Sequence, residues 1–139
     1  MPNKHQKSKL DRRNFVLGAA TGVGELTVLS PKVATAAAKQ TMSLNVIYPN
    51  HAGARFDLSY YRDKHIPLAM QVMKADSVML IEGVPIGDTP APYVMIAHFQ
   101  FASPEALKAA REHPRMAEVR ADIPKFTDIK PTVMLGKSS

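Results

Sequence analysis

The fold is decided by residues 57–72, which read DLSYYRDKHIPLAMQV. Side chains that can face a core recur there at three- and four-residue spacing, which is typical of a helix with one buried face. The recurring positions are Leu58, Tyr61, His65, Leu68 and Val72. Asp57 is placed to cap the first turn. Pro67, inside the pattern, predicts that the helix kinks or ends its first half near residues 65–66.

Strands are predicted on both sides of this helix. Residues 42–48, MSLNVIY, alternate apolar and polar side chains and stop at Pro49-Asn50, as a strand followed by a turn does. Residues 77–84 and 93–101 are apolar, β-branched or aromatic runs separated by a proline-rich loop. They predict a hairpin with a long connection.

The rest of the chain completes an α+β order. Ser103-Pro104 is a cap followed by a proline at the first helical position, and it predicts a second helix to about residue 121, interrupted near Pro114. Residues 129–135 supply the last strand. The order β-α-β-β-α-β predicts a ferredoxin-like fold, with a four-stranded antiparallel sheet and both helices on one face.

The other face of such a sheet has no cover within one chain. A face rich in Met, Val, Ile and Phe needs a partner, since monomers rarely leave large apolar patches exposed. Pairing with a second copy, face to face, covers it most simply. The sequence therefore predicts a homodimer.

Residues 1–38 have the order of an export leader: a basic stretch, the twin arginine Arg12-Arg13 before Phe and Leu, and a Gly- and Ala-rich apolar segment. The apolar segment is weakened by Glu25, and small residues allow cleavage after Ala36 or Ala38. Together these features resemble a twin-arginine (Tat) leader. We expect a signal peptide at 1–38 that engages the Tat machinery, a domain at 39–139, and a periplasmic or secreted product. The segment is too short for a stable membrane anchor.

Charge and composition exclude several classes of protein. Of the net charge of +6, residues 1–38 carry +4, with six Lys and Arg against two acidic residues. Residues 39–139 carry twelve against ten, so the domain lacks the basic surface that nucleic acid binding requires. The chain has no Cys, which excludes disulfides, thiolate nucleophiles and Cys-ligated metals.

From Leu44 to about Gly136 the chain resembles the EthD family, whose members are dimeric α+β barrels named for a protein of ether-degrading bacteria. The resemblance implies that barrel here, and a family of mixed roles: decarboxylase-like, cyclase-like and accessory. It does not indicate a substrate. The residues that carry it are Tyr48-Pro49-Asn50, Phe56-Asp57, YYRDKHIPL at 60–68, YVMIAH at 93–98 and IPKFTD at 123–128.

His65 and Tyr61 are the first catalytic candidates. His65 lies on the apolar face of the predicted helix, where Leu would serve packing more simply. Imidazole titrates near neutral pH and can remove or return a proton. A core histidine satisfied by a backbone carbonyl is the structural alternative. Tyr61 shares the face and offers a phenol to a developing oxyanion.

His98 is the third catalytic candidate. It shares one face of its strand with Val94 and Ile96, and the pattern does not decide which face meets the helices. If it faces them, His98 joins His65 as an acid/base pair or an incipient metal site. Two histidines without a nearby carboxylate indicate a metal only weakly, so no metal is predicted.

Arg55, Tyr60 and Asp128 are the candidates for substrate binding. Arg55 offers a cation to an anionic group and is equally suited to solvent, while Tyr60 suits aromatic packing. The glycines show no phosphate-binding pattern, and no serine lies in a nucleophile elbow. No cofactor is therefore predicted.

These residues support a leading hypothesis and two alternatives. The first is a cofactor-independent lyase, isomerase or cyclase acting on a small organic molecule, with His65 moving a proton. The second is a non-catalytic protein that binds a small ligand or assists a degradation pathway. The third is a cofactor-independent oxygenase, which rests on fold analogy alone.

The leader can be tested by itself. Changing Arg12 and Arg13 to Lys keeps the charge but removes the twin arginine, so export should stop. Immunoblots of periplasmic and cytoplasmic fractions would show the uncleaved chain retained inside the cell. Continued accumulation of the double variant in the periplasm would contradict the Tat assignment.

Overall fold

The computed structural model describes residues 39–139 and, of the predicted leader at 1–38, only Gly22 and Gly24. The leader prediction therefore lies outside the described residues. None of the helices in the described part is both long and apolar enough to cross a membrane.

Strands and helical segments follow the predicted order β-α-β-β-α-β. One antiparallel sheet has the strand order β2-β3-β1-β4, and the ferredoxin-like prediction is confirmed. The elements are β1 Met42–Pro49, α1 Leu58–Tyr60, a π-helical turn Tyr61–His65, α2 Ile66–Met73, β2 Ser77–Glu82, β3 Tyr93–Phe101, α3 Pro104–Arg111, α4 Met116–Phe126 and β4 Thr132–Lys137.

The π-helical turn is the form that the predicted kink takes. The N–H of Ile66 donates to the carbonyl of Tyr61, five residues back. Pro67 has no N–H, and its ring would press on the carbonyl four residues earlier in a regular α-helix. The wider turn just before the proline fits this constraint, and such turns are frequent at functional sites.

Both predicted helix caps are present. The Asp57 carboxylate accepts from the N–H of Tyr60 at 3.0 Å, and the Ser103 hydroxyl accepts from the N–H of Ala106 at 3.1 Å. Each satisfies an N–H that has no partner inside its helix. The first cap therefore fixes where the chain enters the segment that carries Tyr61 and His65.

Three boundaries differ from the prediction. The predicted interruption near Pro114 is present, between α3 and α4, but α4 runs through Pro124 to Phe126 rather than ending near residue 121. The last strand begins at Thr132, not at residue 129, because Ile129 is buried in the core as part of the loop and Pro131 cannot donate to a strand partner. The first hairpin strand ends at Glu82, before the predicted residue 84.

The core lies between one face of the sheet and the helices. Leu44 and Tyr48 from β1 and Met95 and Phe99 from β3 face the helix layer and are buried. Four aromatic rings pack mostly edge to face at one end of this core, with centroids 5.0–6.0 Å apart. They are Tyr48, Phe56, Tyr61 and Phe126.

The opposite face of the sheet, here called the open face, has no cover from the described residues. The strand register places Met79 and Ile81 of β2 and Met134 of β4 on it, and their exposed fractions are 61%, 47% and 53%. Ile47 and Ile96 lie between them on the central strands. Apolar side chains thus run across the whole width of this face.

We propose that a second copy of the chain covers the open face. Changing Met79 and Ile81 to Glu would place charges in that interface, where burial without partners is costly, so the double variant should be monomeric. Ile86→Glu is the control, because Ile86 is 84% exposed in the hairpin loop outside the sheet. Sedimentation would measure the mass. A monomeric wild-type chain at micromolar concentration would contradict the homodimer.

Candidate active site beneath the π-helical turn

A cavity of about 590 Å³ lies between the helices and the sheet. Its floor is apolar and is formed by β1 and β3, chiefly by Leu44, Val46 and Phe99. Tyr61 and His65 of the π-helical turn form one wall. The volume is in the range of pockets that bind small organic molecules.

His65 is paired with a buried carboxylate. Its Nδ1 lies 2.9 Å from Oδ2 of Asp122 on α4, and the two side chains are 6% and 7% exposed. Nε2 has no hydrogen bond to a described residue. Every fully buried side-chain N and O in the described part has a partner, so Nε2 is not fully buried. His65 lines the cavity, so Nε2 is the ring nitrogen left free for a ligand there.

Asp122 is held by three groups. Its Oδ2 accepts from His65, while its Oδ1 accepts from the Tyr60 hydroxyl at 2.9 Å and lies 3.1 Å from Nζ of Lys125. A buried charge is tolerable when it is paired and hydrogen-bonded. These contacts keep the carboxylate fixed and ionised next to the histidine.

Burial and pairing act on the two groups in opposite ways. Burial lowers the pKa of His65, and the hydrogen bond to Asp122 opposes this only in part. Burial by itself would raise the pKa of Asp122, but the hydrogen bonds from His65, Lys125 and Tyr60 outweigh it, and the pKa ends below its usual range. At neutral pH His65 is therefore uncharged beside a carboxylate, with its Nδ1–H donated to Asp122 and the Nε2 lone pair free.

Tyr61 stacks on His65, with ring centroids 5.5 Å apart and an interplanar angle of 18°. Its ring also meets that of Tyr48 edge-on at 5.7 Å, and both tyrosines line the cavity. Burial raises the pKa of Tyr61 well above its ordinary value and raises that of Tyr48 to about 12. Both phenols therefore stay protonated at neutral pH.

His98 lies on the open face, away from His65. Its Nδ1 donates to Oδ1 of Asn45 at 2.6 Å. The amide of Asn45 in turn donates to Ser43 Oγ at 3.1 Å and to the carbonyl of Met134 at 3.2 Å. The structure therefore brings Tyr61 and His65 together and leaves His98 on the other side of the sheet.

The three predicted binding residues do not line the cavity. The backbone N–H of Arg55 donates to Oδ1 of Asp128 at 2.9 Å, and its guanidinium donates to the carbonyl of Pro124 at 2.9 Å. These two residues join the loop before α1 to the end of α4. Tyr60 reaches the site only through its hydrogen bond to Asp122.

Asp122 was missed by the sequence analysis although a signal for it exists. On α4 it lies three residues after Val119 and four before Phe126, both of which are buried. An acidic residue within an apolar helical stripe is as unusual as His65 on the first helix. Within residues 39–139 no three His, Asp or Glu side chains come together as a metal site would require.

The His65–Asp122 pair makes stability depend on pH. Because the pKa of His65 is lower in the folded chain than its usual 6.5, the unfolded chain binds the proton first as the pH falls. The free energy of unfolding should drop below about pH 6.5, until His65 is protonated in the folded chain too. A second drop should follow below the usual pKa of Asp122, 3.8.

Urea unfolding at several pH values would measure this. His65→Asn removes the first titration, so its drop should be smaller than that of the wild type, while His51→Asn, at an exposed histidine, should behave as the wild type does. If the free energy of unfolding of His65→Asn fell below about pH 6.5 as much as that of the wild type, the assignment of the buried pair would be contradicted.

The EthD domain model matches residues 54–130, more than half of the 139 residues. An EthD-like protein from Ralstonia eutropha JMP134 superposes with a TM-score of 0.65 at 29% identity, over 70% of this chain and 91% of that protein. No curated protein matches the sequence.

Two further solved structures show the fold alone. An ethyl tert-butyl ether D (EthD) family protein from Bacillus halodurans C-125 has a TM-score of 0.58 at 16% identity, covering 71% of this chain and 99% of that protein. A protein of unknown function from Nitrosomonas europaea has a TM-score of 0.50 at 14% identity, covering 72% and 90%. The family match, which spans the helix of His65 and the helix of Asp122, shows that this chain belongs to the EthD family.

Proposed function

We propose that the chain is an exported, cofactor-independent enzyme of lyase, isomerase or cyclase type that acts on a small organic molecule, with His65 as its general acid/base. The observation that carries the proposal is the buried His65–Asp122 pair, which lies on the cavity wall and leaves one imidazole nitrogen without a partner among the described residues. Export is proposed from the features of residues 1–38.

The geometry supports proton abstraction by Nε2 of His65. The neutral imidazole takes a proton from a substrate carbon or hydroxyl, and the resulting imidazolium is stabilised by the Asp122 carboxylate, which lies 2.9 Å from Nδ1. The electron pair left on the substrate is delocalised onto an oxygen. The same imidazolium then returns the proton at another position or to a leaving group, which completes an isomerisation or elimination. In a cyclisation the electron pair first forms a bond to a carbonyl carbon of the same molecule, and the imidazolium protonates the resulting alkoxide, so no outside oxidant is needed.

Tyr61 supplies the second role. The phenol of Tyr61 or that of its neighbour Tyr48, which lines the same wall, can donate to the developing oxyanion on the substrate. Such donors stabilise charge most when water is excluded. A ligand that packs on the apolar floor from β1 and β3 would displace water from that part of the cavity.

A ligand-binding or accessory role is the alternative in the same cavity. The apolar floor would serve a binding protein equally well. A binding protein has no need of a carboxylate buried behind the histidine. Desolvating that charge costs stability, and ligand binding alone does not require it. Asp122 is therefore the residue that favours an enzyme over a binding protein.

Hydrogen exchange with solvent tests the proposal without a known substrate. An enzyme that abstracts a proton from carbon introduces deuterium when it is incubated in D₂O with a panel of carbonyl compounds that bind it, and NMR detects the exchange. His65→Asn should slow the exchange by about 10²–10⁴-fold, because Asn keeps the polarity but cannot titrate. Asp122→Asn should reduce it less, since the base is still present.

Two controls separate chemistry from folding. His51→Asn, at an exposed histidine, and His98→Asn, on the open face, should retain the exchange rate of the wild type at low temperature. If His65→Asn binds and exchanges like the wild type but melts earlier, the histidine is a core residue. That result would end the enzymatic proposal and leave the binding role.

A further inference from the structure

The mouth of the cavity is strongly basic, although the domain as a whole is almost neutral. Lys108 and Arg111 reach it from α3, Arg120 from α4, and Lys130 from the loop before β4. All four are exposed. Among the described residues that line the cavity, Glu112 is the single acidic one. Cations from three separate elements therefore surround one opening.

These four cations have no ionic partner within 4.0 Å among the described residues. Elsewhere on the domain, Arg62 pairs with Glu82 at 3.1 Å and Arg115 with Glu118 at 2.8 Å. Unpaired like charges around one opening repel each other. An anion bound among them would relieve that repulsion.

Helix stability explains only part of the arrangement. Lys108 and Arg111 lie in the last turn of α3, where cations favour the helix dipole. Arg120 lies in the middle of α4, and Lys130 is in a loop, so neither position has that explanation. Both nevertheless contribute to the same opening.

The interior of the cavity has the opposite character. Behind the basic mouth the lining is apolar as far as Tyr61 and His65, which lie beneath it. A molecule that fits both zones has a hydrocarbon body and one charged end. Its charge would stay near solvent, where it keeps most of its hydration, and its body would fill the apolar space.

We propose that the ligand of this cavity is an apolar organic anion, held with its anionic group among Lys108, Arg111, Arg120 and Lys130 and its carbon skeleton against Tyr61 and His65. The inference deepens the proposed function, since it names the substrate class of the same site. The basic mouth fixes the orientation of the ligand. It therefore decides which carbon atoms reach Nε2 of His65.

Two fluorescent probes with the same body test the charge requirement. One is 8-anilino-1-naphthalenesulfonate, an anion, and the other is N-phenyl-1-naphthylamine, its neutral counterpart. The full-length wild-type chain should bind the anion more tightly, and added salt should reduce that advantage. The double variant Arg120→Gln, Lys130→Gln should bind the anion about tenfold more weakly. Its affinity for the neutral probe should stay unchanged.

A matched control removes the same charge elsewhere. Lys64→Gln, Lys137→Gln changes two exposed lysines that do not line the cavity, so it should leave the affinity for both probes unchanged. Equal affinity of the wild type for the two probes would overturn the inference. So would an equal loss of anion binding in both double variants, which would indicate general charge attraction or binding on the open face.

The probe-binding test can fail independently of the hydrogen-exchange test of the proposed function. His65→Asn should keep the preference for the anionic probe, because the mouth is intact, even though it slows hydrogen exchange. If no exchange is found but the preference depends on Arg120 and Lys130, only the enzymatic proposal fails. If exchange is found without the preference, only the anionic substrate class fails.

Discussion

The contact between His65 and Asp122 is the constraint on which the rest of the site depends. It joins two parts of the chain 57 residues apart and places an ionised carboxylate inside the helix layer. Such a charge must be satisfied from several sides. Tyr60 and Lys125 do so from the two helices that carry the pair. The orientation of the imidazole ring follows from this network, and so does the direction of its free nitrogen.

Local sequence signals predicted the elements around this contact, but not the contact itself. Asp57, Ser103 and Pro67 act within their own helices, so their roles are visible in short stretches of sequence. Asp122 meets His65 only after both helices pack on the sheet, and no local spacing relates the two. The side of the sheet that carries His98 depended in the same way on the strand register. A period of two divides the residues of β3 into two sets but does not say which set is inside.

The sheet separates the buried core from the open face, and the alternating residues of β3 lie on both. Met95, Ala97 and Phe99 point into the helix layer and are at most 2% exposed, while the alternate residues belong to the open face. His98 is satisfied there by Asn45, which also contacts the backbone of β4. That network links neighbouring strands on the face proposed for dimerisation. The two histidines thus lie in different environments, one beside a carboxylate and one beside an amide.

The energetics of the buried pair favour function over stability as the reason for its presence. At neutral pH the pair carries one charge, on Asp122, and the cost of desolvating that carboxylate opposes the gain from its hydrogen bonds. Apolar side chains of similar size in place of such buried charged groups are often neutral or stabilising. A leucine at position 65 would continue the apolar stripe of the first helix, and one at position 122 would join Val119 and Phe126. Either change made alone would leave the other polar group without its partner. The pair therefore adds a cost that packing does not require, and it places a neutral imidazole, backed by a fixed negative charge, on the wall of the cavity.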